Sequence, residues 1–209
     1  FTDIYVEGAW KNGVSASGPG SDPGATDSYR SLIQSFLRGS GVRSVVDLGC
    51  GDWAFSRLID WTGVDYLGLD VVPTVVERNQ ATFGAPGIRF AVANLAEDLL
   101  PPANLLLCKD VLQHLPNEMV SDFLGRKIQN YRWAILTNDY RITTRGTWRN
   151  LWRPIDRCDP PNSETAAGGY RPLLLRRPPF NLKAKRILDF DVIVGATIFK
   201  KEVLLWENL

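Results

Sequence analysis

Asp47-Leu48-Gly49-Cys50-Gly51-Asp52-Trp53-Ala54 is the stretch on which the fold of this chain turns. Before it lies Ser44–Leu48, a β-branched run that reads as a short buried strand; after it come Phe55, Leu58 and Ile59, whose spacing predicts a helix. Upstream, Tyr29, Leu32, Ile33, Phe36 and Leu37 recur at helical spacing, with Thr26 or Asp27 as cap and Gly39 as stop. Residues 11–27 are rich in Gly, Ser, Pro and Asp and read as an irregular arm. Downstream, Tyr66–Val72 predicts a second strand, and Pro73 opens a helix to about Phe83. Ile88–Leu95, Leu105–Lys109 and Trp133–Thr137 predict three more strands, with a helix from Asn117 between the last two. After Asn138 the rhythm stops for about 45 residues, and strand character returns at Lys185–Phe190 and Glu202–Trp206.

Strands alternating with helices imply right-handed crossovers and a mostly parallel α/β sheet. Within such a sheet, a glycine corner after one strand and an acid, Asp70, ending the next are the parts of a Rossmann-like nucleotide site. Glycines admit the ligand to the backbone, and the carboxylate takes ribose hydroxyls. Gly49, Gly51 and Ala54 also satisfy the dinucleotide pattern, so an NAD(P)-dependent oxidoreductase is one reading. Charge favours another. A pyrophosphate sits on a helix N-terminus, and here Asp47 and Asp52 flank that position and would repel it at short range. S-adenosylmethionine carries no phosphate and brings a sulfonium and an ammonium, so acidic neighbours suit it.

Asp47-Leu48-Gly49-Cys50-Gly51 resembles the first motif of the class I S-adenosylmethionine-dependent methyltransferases. Leu107-Cys108-Lys109-Asp110-Val111-Leu112-Gln113-His114-Leu115 looks like their fourth-strand motif, and the likeness covers roughly residues 30–140. It implies a seven-stranded Rossmann-like sheet of order 3-2-1-4-5-7-6, strand 7 antiparallel, with helices on both faces. It also implies S-adenosylmethionine as cofactor and S-adenosylhomocysteine as product. By the same resemblance Gly49, Cys50, Gly51 and Trp53 lie along the cofactor, Asp70 and Val71 at its ribose, Asn94 and Leu95 at its adenine, and Lys109 and Asp110 at its methionine part. Trp53 departs from the pattern, since many members have a third glycine there. Asp47 either orients the methionine ammonium or clamps the glycine-turn amides. Looser similarity to small bacterial methyltransferases extends to Ser17-Gly18-Pro19-Gly20-Ser21 and to Tyr170-Arg171-Pro172-Leu173.

The 209 residues allow one domain with a full-sized core, spanning 1–209, with an arm over 1–28 and an inserted acceptor-binding or lid segment over 140–184. No apolar run is long enough for a membrane span. Phe1–Trp10 do not read as a secretion signal, and without an initiator Met the sequence does not tell whether residues before Phe1 are missing. Three scattered cysteines argue against a disulfide framework or zinc site and fit a cytoplasmic protein; no metal is expected. The formal net charge of +1 hides an uneven distribution: residues 141–186 hold eleven basic groups against three acidic ones, a local +8.

That basic stretch interleaves arginines with aromatic rings, and Trp148, Trp152, Arg153, Tyr170 and Arg171 are the candidate acceptor-binding residues. The expected acceptor is a small or glycan-type, anionic molecule methylated on O or N. RNA or protein is a lesser alternative, since no RNA-binding motif is evident. Oligomeric state is not legible. His114, the sole histidine, is placed after the fourth strand to act as a base towards a hydroxyl, with Asp139 as rival. The plain readings of both are helix capping or a backbone contact. Arg30 either holds a carboxylate through a charge-assisted fork or sits on a solvated helix face.

Overall fold

A computed structural model describes residues 2–8, 15–144 and 160–208. The seven strands are β1 (Ser44–Leu48), β2 (Asp65–Asp70), β3 (Ile88–Val92), β4 (Ala103–Lys109), β5 (Tyr131–Thr144), β6 (Lys185–Val194) and β7 (Thr197–Glu207). They form one sheet of order β3-β2-β1-β4-β5-β7-β6, as the resemblance implies. The first five are parallel neighbours, and β7 inserts antiparallel between β5 and β6.

Alternate residues of β1 and β4 feed two cores, one on each face. Val46, Leu48, Leu106 and Cys108 pack with Val120, Phe123 and Ile128 from the α4 region (α4, Asn117–Asp122). Val45, Leu105 and Leu107 pack with Tyr29, Ile33 and Leu37 of α2 (Asp27–Ser40), which leads into β1. Helix α3 (Pro73–Phe83) starts on its proline as expected, and a short helix α1 (Thr2–Glu7) opens the described chain. This two-sided burial explains why the central strands read as near-continuous apolar runs.

Three expectations are corrected. The helix predicted after the glycine corner is a single 3-10 turn, Ser56–Leu58. Trp53 takes a left-handed φ of 57°, and Phe55, Ile59 and Trp61 are drawn into the aromatic core, so no second turn follows. The fifth strand does not stop near Asn138: β5 runs on to Thr144, paired beyond β4 with β7 alone. Finally, the described part of the presumed lid is sewn into the body. Leu173 and Leu175 are wholly buried, and Arg171, itself wholly buried, donates to Leu112 O, Ser163 O and Asn117 Oδ1 at 2.9, 3.2 and 2.9 Å.

Candidate active site

The site forms at the C-terminal ends of β1, β2 and β4, where open α/β sheets bind ligands. A cavity of about 350 Å³ is lined there by Gly49, Gly51, Asp70, Val71, Asn94 and Leu95, with Lys109, Asp110 and His114 at its far side. Asp70 is oriented by the backbone: its carboxylate accepts Gly51 N–H at 3.0 Å and Val72 N–H at 3.1 Å. Burial raises its pKa, and those two N–H groups hold the rise back.

The glycine corner satisfies itself. Gly49 and Cys50 N–H both donate to Leu69 O, at 2.7 and 3.0 Å, and Trp53 N–H donates to Cys50 O at 3.3 Å. Gly51 N–H is taken by Asp70 and Asp52 N–H by Ser17 Oγ. No amide from Gly49 to Trp53 is left to cradle a phosphate, and no helix follows to lend its dipole. Both requirements of a pyrophosphate site are therefore lacking.

Asp52 has a different task from the one its charge suggested. It accepts Ala16 N–H at 2.7 Å and the hydroxyls of Ser15 and Ser17 at 3.0 and 3.1 Å, pinning the N-terminal arm over the corner. Gly51 has to be glycine for this approach: a Cβ there would stand 2.3 Å from Ser17 Oγ, on a backbone already at φ +55°. The arm then passes Lys109, whose ammonium donates to Gly20 O at 2.6 Å and Asp110 Oδ2 at 2.5 Å. Tyr5, Ser17 and Ser21 thus line the cavity. Nothing in the sequence of the Ser17-Gly18-Pro19-Gly20 segment marks this site role.

A second cavity of about 230 Å³ shares Ser17, Asp110 and His114 with the first. Its other walls include Gln113, Asp139, Tyr170 and Lys201, with Pro19, Val192 and Phe199 as the apolar side. His114 Nδ1 lies 2.7 Å from Gly169 O. A carbonyl only accepts, so Nδ1 carries the proton and the lone pair is on Nε2. Burial lowers the imidazole pKa, against the pull of that carbonyl, which keeps the ring neutral at pH 7. Asp139 is held on every side: Lys201 Nζ at 2.6 Å, Gln113 Nε2 at 3.1 Å and the Tyr170 hydroxyl at 3.0 Å all donate to it. Lys201 also donates to Asp110 Oδ1 at 2.8 Å. Burial alone would raise the Asp110 carboxyl, but Lys109 and Lys201 bring it down to about 2.

Comparison with known proteins rests on shape. No protein-family model matches the chain, and no curated protein matches it in sequence. Magnesium protoporphyrin IX methyltransferase from Synechocystis PCC 6803, with bound S-adenosylhomocysteine, aligns at TM-score 0.56 over 97% of this chain and 92% of its own, at 17% identity. The N-terminal domain of EvdMO1, in the presence of S-adenosylhomocysteine and D-fucose, aligns at 0.58 over 98% and 95%, at 14% identity. The methyltransferase domain of bacterial CtHen1 aligns at 0.54 over 87% and 100%, at 15% identity. The fold is that of the class I methyltransferases.

Within this methyltransferase fold, several expected ligand residues stand elsewhere. Trp53 does not line the first cavity; its ring packs 5.1–5.6 Å from those of Phe83, Phe90 and Tyr66. The left-handed backbone at residue 53 turns the ring into that cluster. Cys50 is a buried core thiol beneath Gly68. Arg30 donates to Pro23 O and pairs with Asp27, lining neither cavity. Arg171 is a buried structural cation, as above. Asn94 lines the cavity, but its Oδ1 also accepts Ala96 N–H at 3.0 Å in an Asx turn. Trp148, Trp152 and Arg153 lie outside the described residues.

Asp47 does not line the first cavity and accepts from none of the glycine-corner amides. It faces the opposite core, where the Tyr66 hydroxyl donates to it at 2.6 Å and Ser56 Oγ at 3.3 Å. Burial pushes its pKa up to about 6, despite those donors and nearby Lys109. The folded state therefore holds this proton more tightly than the unfolded chain, and stability falls as pH rises from about 4 to about 6. Asp47→Asn, which keeps an acceptor for Tyr66, is expected to stabilise the protein by about 2–3 kcal/mol at pH 8 and to change nothing at pH 3.5. Urea unfolding at the two pH values checks this, and equal effects at both would refute it.

No group of three or more His, Cys, Asp or Glu side chains suited to a metal occurs among the described residues. No described helix is long and apolar enough to cross a membrane.

Proposed function

We propose that this chain is an S-adenosylmethionine-dependent methyltransferase acting on a hydroxyl of a small or glycan-type acceptor. The observation that carries the proposal is the shared wall. Asp110 and His114 border both the cavity that ends at Asp70 and the cavity that ends at Asp139 and Tyr170. A donor and an acceptor can thus lie end to end across them. The residues fit S-adenosylmethionine: Asp70 offers a carboxylate to ribose, Leu95, Leu115 and Met119 offer an apolar slot, and the corner offers nothing to a phosphate. Bound there, the cofactor supplies an activated methyl group.

The chain's own part is to place the acceptor, exclude water and take a proton. Alignment at near-attack distance can supply roughly 7–11 kcal/mol of the barrier. With its lone pair on Nε2 and its ring on the wall of both cavities, His114 would take the proton that a hydroxyl acceptor must lose on being methylated. Asp139, committed to three donors, serves to hold Gln113, Tyr170 and Lys201 rather than to take the proton. Methylation of an amine on the same scaffold would need no base. Of the basic stretch over 141–186, Arg145, Arg149, Arg153 and Arg157 lie outside the described residues. Of its described basic groups, Arg171 is spent on Leu112 O, Ser163 O and Asn117 Oδ1, Arg176 and Arg186 pair with Glu202 and Asp189, and Arg141, Arg177, Lys183 and Lys185 line neither cavity.

The test is calorimetry with S-adenosylmethionine, S-adenosylhomocysteine and NAD, followed by labelled-methyl transfer to hydroxyl and amine acceptors at two salt concentrations. Heat from the first two ligands and none from NAD is expected, with transfer to hydroxyls. Tight NAD binding without uptake of either sulfur nucleoside would end the proposal.

A further inference from the structure

The acceptor cavity contains a buried cation that the mechanism above does not use. Lys201 is only 2% exposed and sits in the middle of β7, directly opposite Asp139 on β5. The β5–β7 register slips between Asp139 and Arg141. Such a bulge re-aims side chains and is favoured beside functional sites. Enclosing an ammonium between two carboxylates is a poor way to gain stability, because desolvation consumes the Coulombic gain and an apolar residue would serve as well. The arm also closes on it: a Cβ on Gly20 would stand 3.3 Å from Lys201 Nζ and 2.7 Å from Asp110 Oδ2.

An ammonium has three hydrogens. Lys201 directs two to Asp110 Oδ1 and Asp139 Oδ1. We propose that the third anchors an acceptor oxygen, making Lys201 a substrate-binding residue, and that the acceptor is a neutral ring polyol. This deepens the methyltransferase reading and rests on it. The described wall favours a ligand without net charge. Asp110 and Asp139 are balanced by Lys201 and by Lys109 behind Asp110, so no net positive charge faces the cavity from the described residues. An ionised carboxylate has about four lone-pair sites. Asp110 uses two of them, on Lys109 and Lys201. One donor and open acceptor sites side by side match a pair of neighbouring hydroxyls, each of which donates and accepts. A carboxylate or phosphate would gain the donor but face two carboxylates. Pro19, Val192 and Phe199 across the cavity suit the C–H face of a sugar or cyclitol ring.

The experiment uses methyl β-D-glucopyranoside, myo-inositol, glucuronate and glucose 6-phosphate as probes. Binding is read by ligand-observed NMR with S-adenosylhomocysteine bound, and turnover with S-adenosylmethionine. A neutral polyol is expected to bind at least tenfold more tightly than either anion. Lys201→Arg, which keeps the charge between the two carboxylates, is expected to raise the acceptor KM at least tenfold with unchanged S-adenosylhomocysteine affinity. The double variant Lys201→Met/Asp139→Asn removes both charges together and should fold, bind S-adenosylhomocysteine and lose the polyol. Preference for an anion, an unchanged KM in Lys201→Arg, polyol binding by the double variant, or no binding of either neutral probe each overturns the proposal. If S-adenosylhomocysteine itself fails to bind, the reading beneath it is what falls.

Discussion

Asp70→Ala is expected to lower S-adenosylhomocysteine affinity by about two to four orders of magnitude, the largest effect of any single change in the cofactor cavity. The carboxylate does two things at once. On the proposed reading it offers charged acceptors to a ribose diol, each such hydrogen bond contributing about 1.5–3 kcal/mol. It also ties Gly51 N–H and Val72 N–H, so its removal loosens the glycine corner that walls the cavity. Asp70→Asn is expected to fall almost as far, because its amide end would meet one of those N–H groups donor to donor. Acidification should imitate the mutation. Burial raises the Asp70 pKa, the ionised form is the one that binds, and affinity therefore declines as pH falls through that raised value. Calorimetry carried from pH 8 down into acid should show this decline in the wild type and a flat response in Asp70→Ala. A variant that binds within threefold of wild type would remove Asp70 from the site.

His114→Gln gives the second large effect, on rate instead of binding. General-base catalysis contributes about 10²–10⁴-fold, and kcat for a hydroxyl acceptor is expected to drop within that range while S-adenosylhomocysteine affinity stays within threefold. The Nδ1–H···O contact to Gly169 fixes the tautomer that puts the lone pair on Nε2. Since burial lowers the imidazole pKa, the neutral base persists below its usual range. The kcat/KM profile should be level through pH 7 and fall only in acid. A loss of less than tenfold with a hydroxyl acceptor, or an acid limb unchanged in His114→Gln, would assign His114 to the scaffold. The same small loss with an amine acceptor is expected, because no proton need be taken.

What could be read in advance was whatever depends on period and order. Ser44–Leu48 and Pro73–Phe83 coincide with their predicted spans, and the strand order follows the resemblance. Asp70 was legible because a strand end and a spacing suffice to place it. Charges were misread where their partners come from distant chain. Asp52 looked like a guard against phosphate and is the anchor of the arm, through Ser15 and Ser17 more than thirty residues away. Arg171 looked like a ligand fork and caps the backbone of the turn after β4. Trp53 sits where a glycine is common, and only its left-handed backbone tells which way the ring turns. Lys201 went unassigned, although a Lys-Glu pair opening an apolar strand, Lys201-Glu202-Val203-Leu204-Leu205, is itself a signal. Charges inside a central strand need partners, and those partners line a cavity here.

The extension of β5 past Lys109 bears on how such an enzyme diversifies. From Asn138 onward β5 is joined only to β7, and β6 flanks it, so a three-stranded ribbon projects beyond the parallel sheet. Val192 and Phe199 face each other in its β6–β7 register and form the apolar side of the second cavity. That wall is laddered backbone, and neither side chain lines the cavity at the glycine corner. Val192 and Phe199 line the second cavity alone, so on the proposed reading exchanging them would be expected to alter the choice of acceptor while leaving the walls of the first cavity as they are.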